Sequence, residues 1–232
     1  MVSYNIRHAR GIDEAVDLER TAAVLRALAP DLVGLQEVDR EVERSGRVDQ
    51  AAELGRILGM TPVFGAFMPY QGGHYGMAIL SGLPVVRSWE IELPEGEEPR
   101  IALAAELVLP AGDTIVAVNV HFDWIDEDGD RFRQASALTR ALDALPYPWI
   151  LLGDFNDEPG SRTLALFQER ATEAAKPEGR SFTFSTDDPR KEIDFVFAAP
   201  ASGWEVREAR VVDEPTASDH LPVLVVLTRT PR

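Results

Sequence analysis

Short apolar runs of the β-strand type recur along the whole chain, and they constrain its fold more than any other feature of the sequence. These runs are rich in Val, Ile, Leu or aromatic residues, and several are bounded by Gly, Pro or Asp, which is typical of strands. The predicted strands are Met1–Ile6, Leu32–Gln36, Met77–Ser81, Ile101–Leu109, Thr114–His121, Trp149–Leu152, Ile193–Ala198 and Pro222–Thr228. We therefore expect a fold built around β-sheets.

Helical periodicity appears between these runs, and Gly59 stands where it would end one of the helices. The predicted helices are Leu18–Leu28, Gln50–Leu58, Phe132–Leu145 and Thr163–Glu169. Three successive runs between Met77 and His121 are joined by turn-like segments instead, and we expect them to pair antiparallel. This mixture predicts an α/β fold with two packed mixed sheets and helices on their outer faces. Because no linker-like segment divides the chain, we expect a single domain over residues 1–232.

The composition excludes several kinds of site. The chain has no cysteine, so disulfides, thiolate catalysis and cysteine-ligated metal centres are excluded, and any metal must be bound by oxygen or imidazole. No apolar run reaches the roughly 18 residues of a membrane span. The start, from Met1 to Asp17, carries charges where a signal peptide needs an apolar stretch. We therefore expect a cytoplasmic protein.

The net charge restricts the partners. Lys and Arg number 23 against 39 Asp and Glu, which gives a formal net charge of -16. Because duplex binding relies on Lys and Arg that replace condensed counterions, such a surface repels long nucleic acid. A small phosphate ester held by a bound divalent cation is compatible with this charge.

Polar groups that follow the apolar runs are the main candidates for chemistry, since functional side chains often lie at strand ends. The run from Trp149 ends in a glycine followed by Asp154 and Asn156, although a purely local turn is an equally good interpretation of these two residues. Glu37 ends the second run. It is either a hard oxygen ligand suited to magnesium or manganese or an exposed carboxylate at the mouth of a loop.

Two histidines occupy comparable positions. His121 ends an alternating strand, with Asp123 two residues further on the same face, and it is either a phosphoryl-binding group or a structural residue. Asp194 starts an apolar strand and needs a partner there. If it meets His220 across neighbouring strands, it would orient that imidazole and stabilise its protonated form, as a base for attack by water requires. Together with the carboxylates and amides, this set fits phosphoester hydrolysis.

The segments around these residues resemble the endonuclease/exonuclease/phosphatase superfamily. They are Tyr4–Ile6, Leu35–Glu37, Tyr75–Ser81, Val120–Asp123, Gly153–Asn156, Ile193–Phe195 and Ser218–His220, and they occur in the order that the family has. The resemblance implies a four-layered α/β/β/α sandwich and a divalent ion, usually Mg²⁺ or Mn²⁺. It also implies in-line attack of water on a phosphodiester or phosphomonoester.

The resemblance assigns a metal site and a water site. By motif, Glu37 would be the main metal ligand, Asn5 would support the metal or its water, and Asp219 would complete this site or a second one. Asp154 and Asn156 would position the attacking water and the phosphate.

The resemblance also implies groups that act on the phosphate. His220, paired with Asp194, would be a general base or would stabilise the phosphate charge, and His121 would bind a phosphoryl oxygen. Arg131 or Arg133, beside Gln134, would fill a place where relatives carry an arginine, although a helix-surface arginine is an equally good interpretation. Loop residues that would rim the pocket by analogy are His8, Arg10, Arg44, His74 and Tyr75.

We therefore expect a hydrolase of a small or lipid-type phosphoester, such as a phospholipid headgroup, a sugar or inositol phosphate, or a nucleotide derivative. An abasic-site or other nuclease is the main alternative among enzymes, and it would need a basic strip that the sequence does not show. A non-catalytic binding module of the same fold is a further alternative, against which the complete polar set argues.

Overall fold

The chain folds into two sheets and four α-helices. The computed structural model describes residues 1–230. The strands are β1 (Val2–Asn5), β2 (Leu32–Arg40), β3 (Thr61–Tyr70), β4 (Gly73–Ser81), β5 (Val85–Glu92), β6 (Ile101–Val108), β7 (Thr114–His121), β8 (Trp149–Asp154), β9 (Thr172–Glu173), β10 (Asp194–Ala199), β11 (Trp204–Val211) and β12 (Val223–Arg229). The helices are α1 (Leu18–Leu28), α2 (Gln50–Leu58), α3 (Gly129–Asp143) and α4 (Arg162–Gln168), with short 3-10 helices at Arg7–Ala9, Glu43–Ser45 and Ala201–Gly203.

Both sheets are six-stranded and mixed. The first has the order β11-β12-β1-β2-β4-β3 and the second the order β5-β6-β7-β8-β10-β9. Strands β1 and β2 pair in parallel, as do β7 and β8, whereas the other neighbours pair antiparallel. The predicted pair of mixed sheets is confirmed.

Three apolar layers hold the fold together. The inner faces of the two sheets pack on each other through residues such as Met77, Leu103 and Leu152. Helices α1 and α2 cover the outer face of the first sheet, and α3 and α4 cover that of the second. This arrangement is the four-layered α/β/β/α sandwich that the resemblance implied. No helix within residues 1–230 is long and apolar enough to cross a membrane.

Helix boundaries follow local hydrogen-bonding signals. The carboxylates of Asp17 and Asp49 accept from the N–H groups of Arg20 at 3.0 Å and Ala52 at 2.9 Å, and these bonds start α1 and α2. Gly59 ends α2 with φ at 68°, a conformation that glycine adopts without strain. The predicted bounds of α1 and α2 are therefore confirmed, and α3 and α4 begin slightly earlier than predicted.

The strands that the sequence did not predict are β3, β5, β9 and β11, which are the edge strands of the two sheets. An edge strand is half exposed and interrupts its apolar residues with polar ones. In β5 and β11 most side chains are exposed or only partly buried. Strand β3 contains Pro62 and Pro69, which a central strand would not tolerate.

The expected antiparallel pairing of the three runs between Met77 and His121 is wrong for the first of them. Strand β4 belongs to the first sheet and pairs with β2 and β3. The chain then crosses at Leu83-Pro84 to the second sheet, where β5, β6 and β7 form the antiparallel set. The error arose because polar residues interrupt β5, so the sequence pattern did not predict this strand, which pairs with β6.

The strand ends that carry polar groups lie at one end of the sandwich. Parallel pairing places Asn5 at the carboxyl end of β1 beside β2. In the second sheet, parallel pairing sets His121 opposite Asp154, and antiparallel pairing sets Asp194, the first residue of β10, opposite Asp154 as well.

Candidate active site

A cavity of about 680 Å³ opens at this end of the sandwich, between the two sheets. Of the predicted catalytic residues, His121, Asp154, Asn156 and His220 line it. Of the predicted metal ligands and substrate contacts, Glu37, Asp219, Tyr75 and Arg131 line it. Asn5 and Asp194 lie behind these residues, buried and hydrogen-bonded to them.

Asn5 joins the two sheets at the centre of the site. Its side-chain Nδ2 donates to Glu37 Oε1 and to Asp154 Oδ2, both at 3.1 Å. Its Oδ1 accepts from the backbone N–H of Arg7 at 3.1 Å, so the amide orientation is fixed. One neutral amide thus separates two carboxylates that come from different sheets.

Glu37 enters the cavity because β2 is irregular at this residue. The register between β2 and β4 shifts between Gln36 and Val38, which makes Glu37 the extra residue of a β-bulge. Its φ of 56° lies in the left-handed region, where a non-glycine residue is strained. Burial raises the pKa of the Glu37 carboxyl, and the negative charge of Asp219 adds to this effect.

Asp154 is the carboxylate that most groups of the site share. Its Oδ1 accepts from the backbone N–H of Asn156 at 2.9 Å, which is the local turn that the sequence suggested as one interpretation. Its Oδ2 faces Asn5 and lies 3.5 Å from His121 Nε2 and 3.6 Å from His220 Nε2. Burial, helped by the charge of Asp194, raises the pKa of Asp154 to about 7 against the opposing charge of His220. Asp154 therefore both forms the local turn and lines the cavity.

His220 pairs with Asp194, as the sequence suggested. Its Nδ1 lies 3.0 Å from Asp194 Oδ2 in the buried part of the site. The two residues come from opposite sheets instead of neighbouring strands, because β10 lies in the second sheet and His220 precedes β12 of the first. Burial alone would lower the pKa of His220, but the charges of Asp194 and Asp154 outweigh it and raise the pKa to about 10. The imidazole is therefore protonated while those carboxylates are charged.

His121 differs from His220 in its charge. It is buried, and burial together with the charge of Arg100 keeps its pKa well below the usual range, so the ring is neutral. Its Nδ1 has no hydrogen-bond partner among the described residues. Asp123, expected on the same face, bonds instead to the backbone N–H groups of Glu97 and Ile125 and does not line the cavity.

The donor chemistry of the site fits a divalent cation. Glu37 and Asp154 approach each other with a neutral amide between them, and burial raises the pKa of both. Hard oxygen donors of this kind suit Mg²⁺ or Mn²⁺. Asp154, Asp194 and His220 also bring ligand atoms within 4.8 Å of one another, and Asp194 Oδ1 lacks a partner within residues 1–230.

The segment before β12 closes the site against β1. Ser218 is buried and donates from its hydroxyl to the backbone carbonyl of Asn5 at 2.7 Å. The neighbouring Asp219 is partly exposed, lines the cavity and lies 3.5 Å from Nε of Arg7. Of the predicted metal ligands, Glu37 and Asp219 therefore line the cavity, and Asn5 is buried behind Glu37.

Two arginines of α3 have different environments. Arg131 is buried and lines the cavity, but its guanidinium donates to the backbone carbonyls of Asp123, Ile125 and Asp126. It therefore holds the loop before α3. Arg133 does not line the cavity, because it points outward to Asp130 and to the carbonyl of Glu95.

Two predicted rim histidines lie away from the cavity lining. His74 sits in β4 opposite Pro69 and is half-buried. His8 is buried in a turn with left-handed φ of 46°, and its carbonyl accepts from Nε2 of Gln50, the first residue of α2. His8, His74 and Arg133 therefore lie outside the cavity lining, and substrate contact by these three residues stays a prediction.

Sequence reasoning missed three side chains that shape the site. Arg100, buried before β6, and Trp124, exposed at the mouth, line the cavity. Lys176 is buried and donates to the backbone carbonyl of Asp194 at 2.8 Å while pairing with Glu192 at 2.9 Å. Arg100 and Lys176 stand in acidic or loop-like segments, which gave no sign that their side chains are buried.

This fold and site define a class of protein, the phosphoester hydrolases built on a two-sheet sandwich. The chain belongs to the Endonuclease/Exonuclease/phosphatase family, whose model matches residues 2–220. Members of this family are divalent-metal-dependent hydrolases that act on phosphoester bonds. The predicted family and enzyme class are thereby confirmed.

Solved structures share the fold over nearly the whole chain. An endonuclease/exonuclease/phosphatase from Beutenbergia cavernae is 24% identical with a TM-score of 0.80, covering 98% of this chain and 70% of that one. A mannosyl-6-phosphatase from Bacteroides thetaiotaomicron is 20% identical with a TM-score of 0.80, covering 98% of each chain. The human Nocturnin catalytic domain with bound sulfate is 21% identical with a TM-score of 0.78, covering 99% of this chain and 92% of that one.

Proposed function

We propose that this protein hydrolyses a small phosphomonoester or phosphodiester with the help of Mg²⁺ or Mn²⁺. The observation that carries the proposal is that Asn5 and Glu37 of one sheet meet His121, Asp154 and the His220–Asp194 pair around one cavity. Carboxylates, a neutral imidazole and a protonated imidazole together match the needs of phosphoryl transfer to water.

Glu37 and Asp219 would hold the cation, and Asn5 would support it through its hydrogen bond to Glu37. Glu37 is fixed by the amide of Asn5, and Asp219 stands on the outer side of the same space. When bound, the cation would neutralise charge on the phosphoryl oxygens. Asp194 and His220 are less suited as ligands, because their Oδ2 and Nδ1 atoms are engaged with each other.

The remaining groups would act on the water and the phosphate. Asp154 and Asn156 would orient the attacking water, since Asp154 Oδ2 lies within 3.6 Å of both imidazoles. The protonated His220 would stabilise charge on a phosphoryl oxygen, held in place by Asp194. The neutral His121, which also lies beside Asp154, would bind a further phosphoryl oxygen.

Charge and cavity size support a small or lipid-type substrate. A formal net charge of -16 disfavours a long polyanion. The cavity of about 680 Å³ suits a compact ester such as a sugar phosphate or a lipid headgroup. The mannosyl-6-phosphatase with this fold acts on a compact ester of that kind, going by its name.

The test is a panel of hydrolysis assays with two site variants and one control variant. The panel contains bis-p-nitrophenyl phosphate, p-nitrophenyl phosphate, phospholipids, inositol and sugar phosphates, and abasic DNA, each with Mg²⁺, Mn²⁺ or chelator. We expect cation-dependent turnover of a small ester that Glu37→Gln and His220→Ala abolish and that Arg133→Met leaves unchanged. Cleavage of abasic DNA alone would favour a nuclease. Turnover that survives in both site variants would refute the proposed site.

Binding of the cation is tested separately from turnover. Because a ligand that binds only the folded state stabilises it, Mg²⁺ or Mn²⁺ is expected to raise the melting temperature of the wild-type protein. Glu37→Gln should reduce this shift, whereas Arg133→Met should not. An equal shift in all three proteins would place the cation elsewhere.

A further inference from the structure

Arg100 is a buried cation with unused hydrogen-bond donors. It directly precedes β6 and is only 3% exposed. Its guanidinium stacks 4.8 Å above the ring of Phe67, and Nη2 lies 3.0 Å from the carboxylate of Glu98. The Nε and Nη1 atoms have no partner among residues 1–230. Nη2 is therefore paired with Glu98, whereas Nε and Nη1 have no acceptor among residues 1–230.

The position of Arg100 is in the wall of the active-site cavity. It lines the cavity together with Tyr75 and His121. The ring of Phe67, on which it stacks, lies 5.5 Å from the ring of Tyr75 and 6.1 Å from that of His121. Arg100 thus stands near the imidazole that faces Asp154, with Phe67 as the surface that both groups share.

The other cations of the cavity are differently engaged. Arg131 is also buried, but its Nη1 and Nη2 donate to three backbone carbonyls of the loop before α3, and its Nε lies 3.6 Å from Asp157 Oδ2. Lys191 lines the cavity from an exposed position. Arg100 is therefore the buried cation whose donors are best placed for an oxygen anion, which a planar guanidinium binds strongly.

We propose that Arg100 binds an anionic oxygen of the substrate through its guanidinium, on the Tyr75–His121 side of the cavity. This inference rests on the proposed function of the same site, and it concerns substrate recognition. Two sources of the oxygen share this chemistry: the phosphoryl group that reacts, and a second phosphate or carboxylate elsewhere on the substrate. Glu98 fixes the guanidinium from its outer edge and so presets its orientation.

The experiment measures binding of two non-hydrolysable probes, methylphosphonate and propane-1,3-bisphosphonate, by calorimetry in excess Mg²⁺. Arg100→Met removes the charge and the donors while keeping an apolar side chain on Phe67. Arg100→Lys keeps the charge without the planar fork, and Arg133→Met removes an exposed arginine outside the cavity. Circular dichroism and thermal melting establish that each variant is folded.

We expect Arg100→Met to weaken at least one probe about tenfold or more, Arg100→Lys to weaken it less, and Arg133→Met to have little effect. Equal weakening of both probes means that Arg100 contacts the reacting phosphoryl group. Selective weakening of the bisphosphonate means that it binds a second anionic group. Unchanged affinities in a folded Arg100→Met protein, or no binding of either probe to the wild type, overturn the proposal.

Turnover of bis-p-nitrophenyl phosphate separates this inference from the proposed function. Activity of the wild type with no effect of Arg100→Met on probe binding defeats the inference alone. Arg100-dependent probe binding by a protein that hydrolyses nothing in the panel defeats the proposed hydrolysis and keeps Arg100 as an anion contact.

Discussion

At the scale of single residues, the site depends on how charge is distributed over neighbouring carboxylates. Asp154 has two imidazoles and one amide around it, and Asp194 has His220 as its charged partner. A charged carboxylate beside an imidazole favours the protonated ring, since the two charges attract at short range. The Asp194 carboxylate therefore sets both the orientation and the charge of His220.

We predict that Asp194→Asn lowers kcat by about 100-fold or more, because His220 loses its counter-charge and its fixed orientation. The measurement is cation-dependent turnover of a small ester by the folded variant. Asp39→Asn is the matched control, since Asp39 is equally buried but pairs with Arg44 away from the catalytic cluster. If both variants lose the same activity, a general effect of burying an amide explains the loss.

His8 provides a pH dependence of stability that is separate from the catalytic cluster. Burial lowers its pKa to about 4, and the positive charge of Arg44 acts in the same direction. In the unfolded chain its pKa is about 6.5. The folded state thus resists protonation of His8. The contribution of the neutral His8 to the free energy of unfolding is fully present above pH 6.5 and is lost progressively as the pH falls toward 4.

We predict that His8→Asn loses less stability than the wild type between about pH 7.5 and pH 4.5, by roughly 2 kcal/mol. Asn is chosen because it tolerates the left-handed backbone of this position. Urea unfolding at the two pH values gives the difference, and His74→Asn, at a half-buried position, should keep the wild-type difference. A His8→Asn protein with the wild-type acid loss would contradict the assignment to His8.

The residues of the site were unequally predictable from the sequence. Asp154 and Asn156 follow an apolar strand, and a junction of this kind between a buried strand and polar groups is a local pattern that indicates a cleft. Arg100 follows a run of acidic residues, a context that predicts an exposed side chain, yet it is buried. Its guanidinium stacks on Phe67, a residue of an edge strand that the local sequence pattern did not reveal.

At the scale of elements, burial on both faces made a strand recognisable. The predicted strands are central in their sheets, and most of them are covered on both faces and rich in apolar residues. The edge strands alternate polar and apolar residues or contain proline, so their pairing depends on long-range contacts that a local pattern does not contain. Helix ends were predictable because Asp17, Asp49 and Gly59 act locally.

The loop before α3 gives a prediction at this scale. Arg131 reaches back from the first turn of α3 to the carbonyls of Asp123, Ile125 and Asp126, and so fixes the loop that carries Trp124 into the cavity. We predict that Arg131→Gln raises KM several-fold and changes kcat less than about threefold, since the loop loosens while the catalytic cluster stays in place.

Steady-state kinetics with bis-p-nitrophenyl phosphate measures both constants of the Arg131→Gln protein. Arg133→Met is the control, because Arg133 lies two residues away on the same helix and contacts Asp130 on the surface. A loss confined to kcat would mean that Arg131 contacts the reacting phosphate, as the resemblance suggested.

At the scale of the whole molecule, the site exists only if the two sheets keep their relative position. Asn5 and Glu37 belong to the first sheet, and His121 and Asp154 to the second. Asn119 of β7 crosses this interface: its Nδ2 donates to the carbonyls of Leu35 at 2.8 Å and Ala78 at 2.9 Å.

Two neighbours complete this buried contact between the sheets. Asn119 Oδ1 accepts from Gln36 Nε2 at 2.6 Å, which joins it to the residue before Glu37. Gly34 allows the close approach, since a Cβ there would lie 3.0 Å from Asn119 Oδ1 and 2.9 Å from Leu152. A polar group buried in an apolar interface has to be placed accurately to be satisfied, so it fixes the register of one sheet on the other.

We predict that Asn119→Ala lowers the free energy of unfolding by about 3 kcal/mol, because it leaves buried polar groups unpaired and opens a small cavity. Thr139→Ala is the control: Thr139 is buried too, but its hydroxyl donates only within α3, to the carbonyl of Ser136. Its expected cost is about 1 kcal/mol or less. Urea unfolding gives both values.

The same substitution separates sheet position from overall stability. Well below its melting temperature, Asn119→Ala is expected to lose kcat about tenfold, since a small shift between the sheets misplaces Glu37 and Asn5 relative to Asp154 and His121. Thr139→Ala should keep the wild-type kcat at the same distance from its own melting temperature. Wild-type kcat in a destabilised Asn119→Ala protein would mean that this contact holds the fold without setting the geometry of the site.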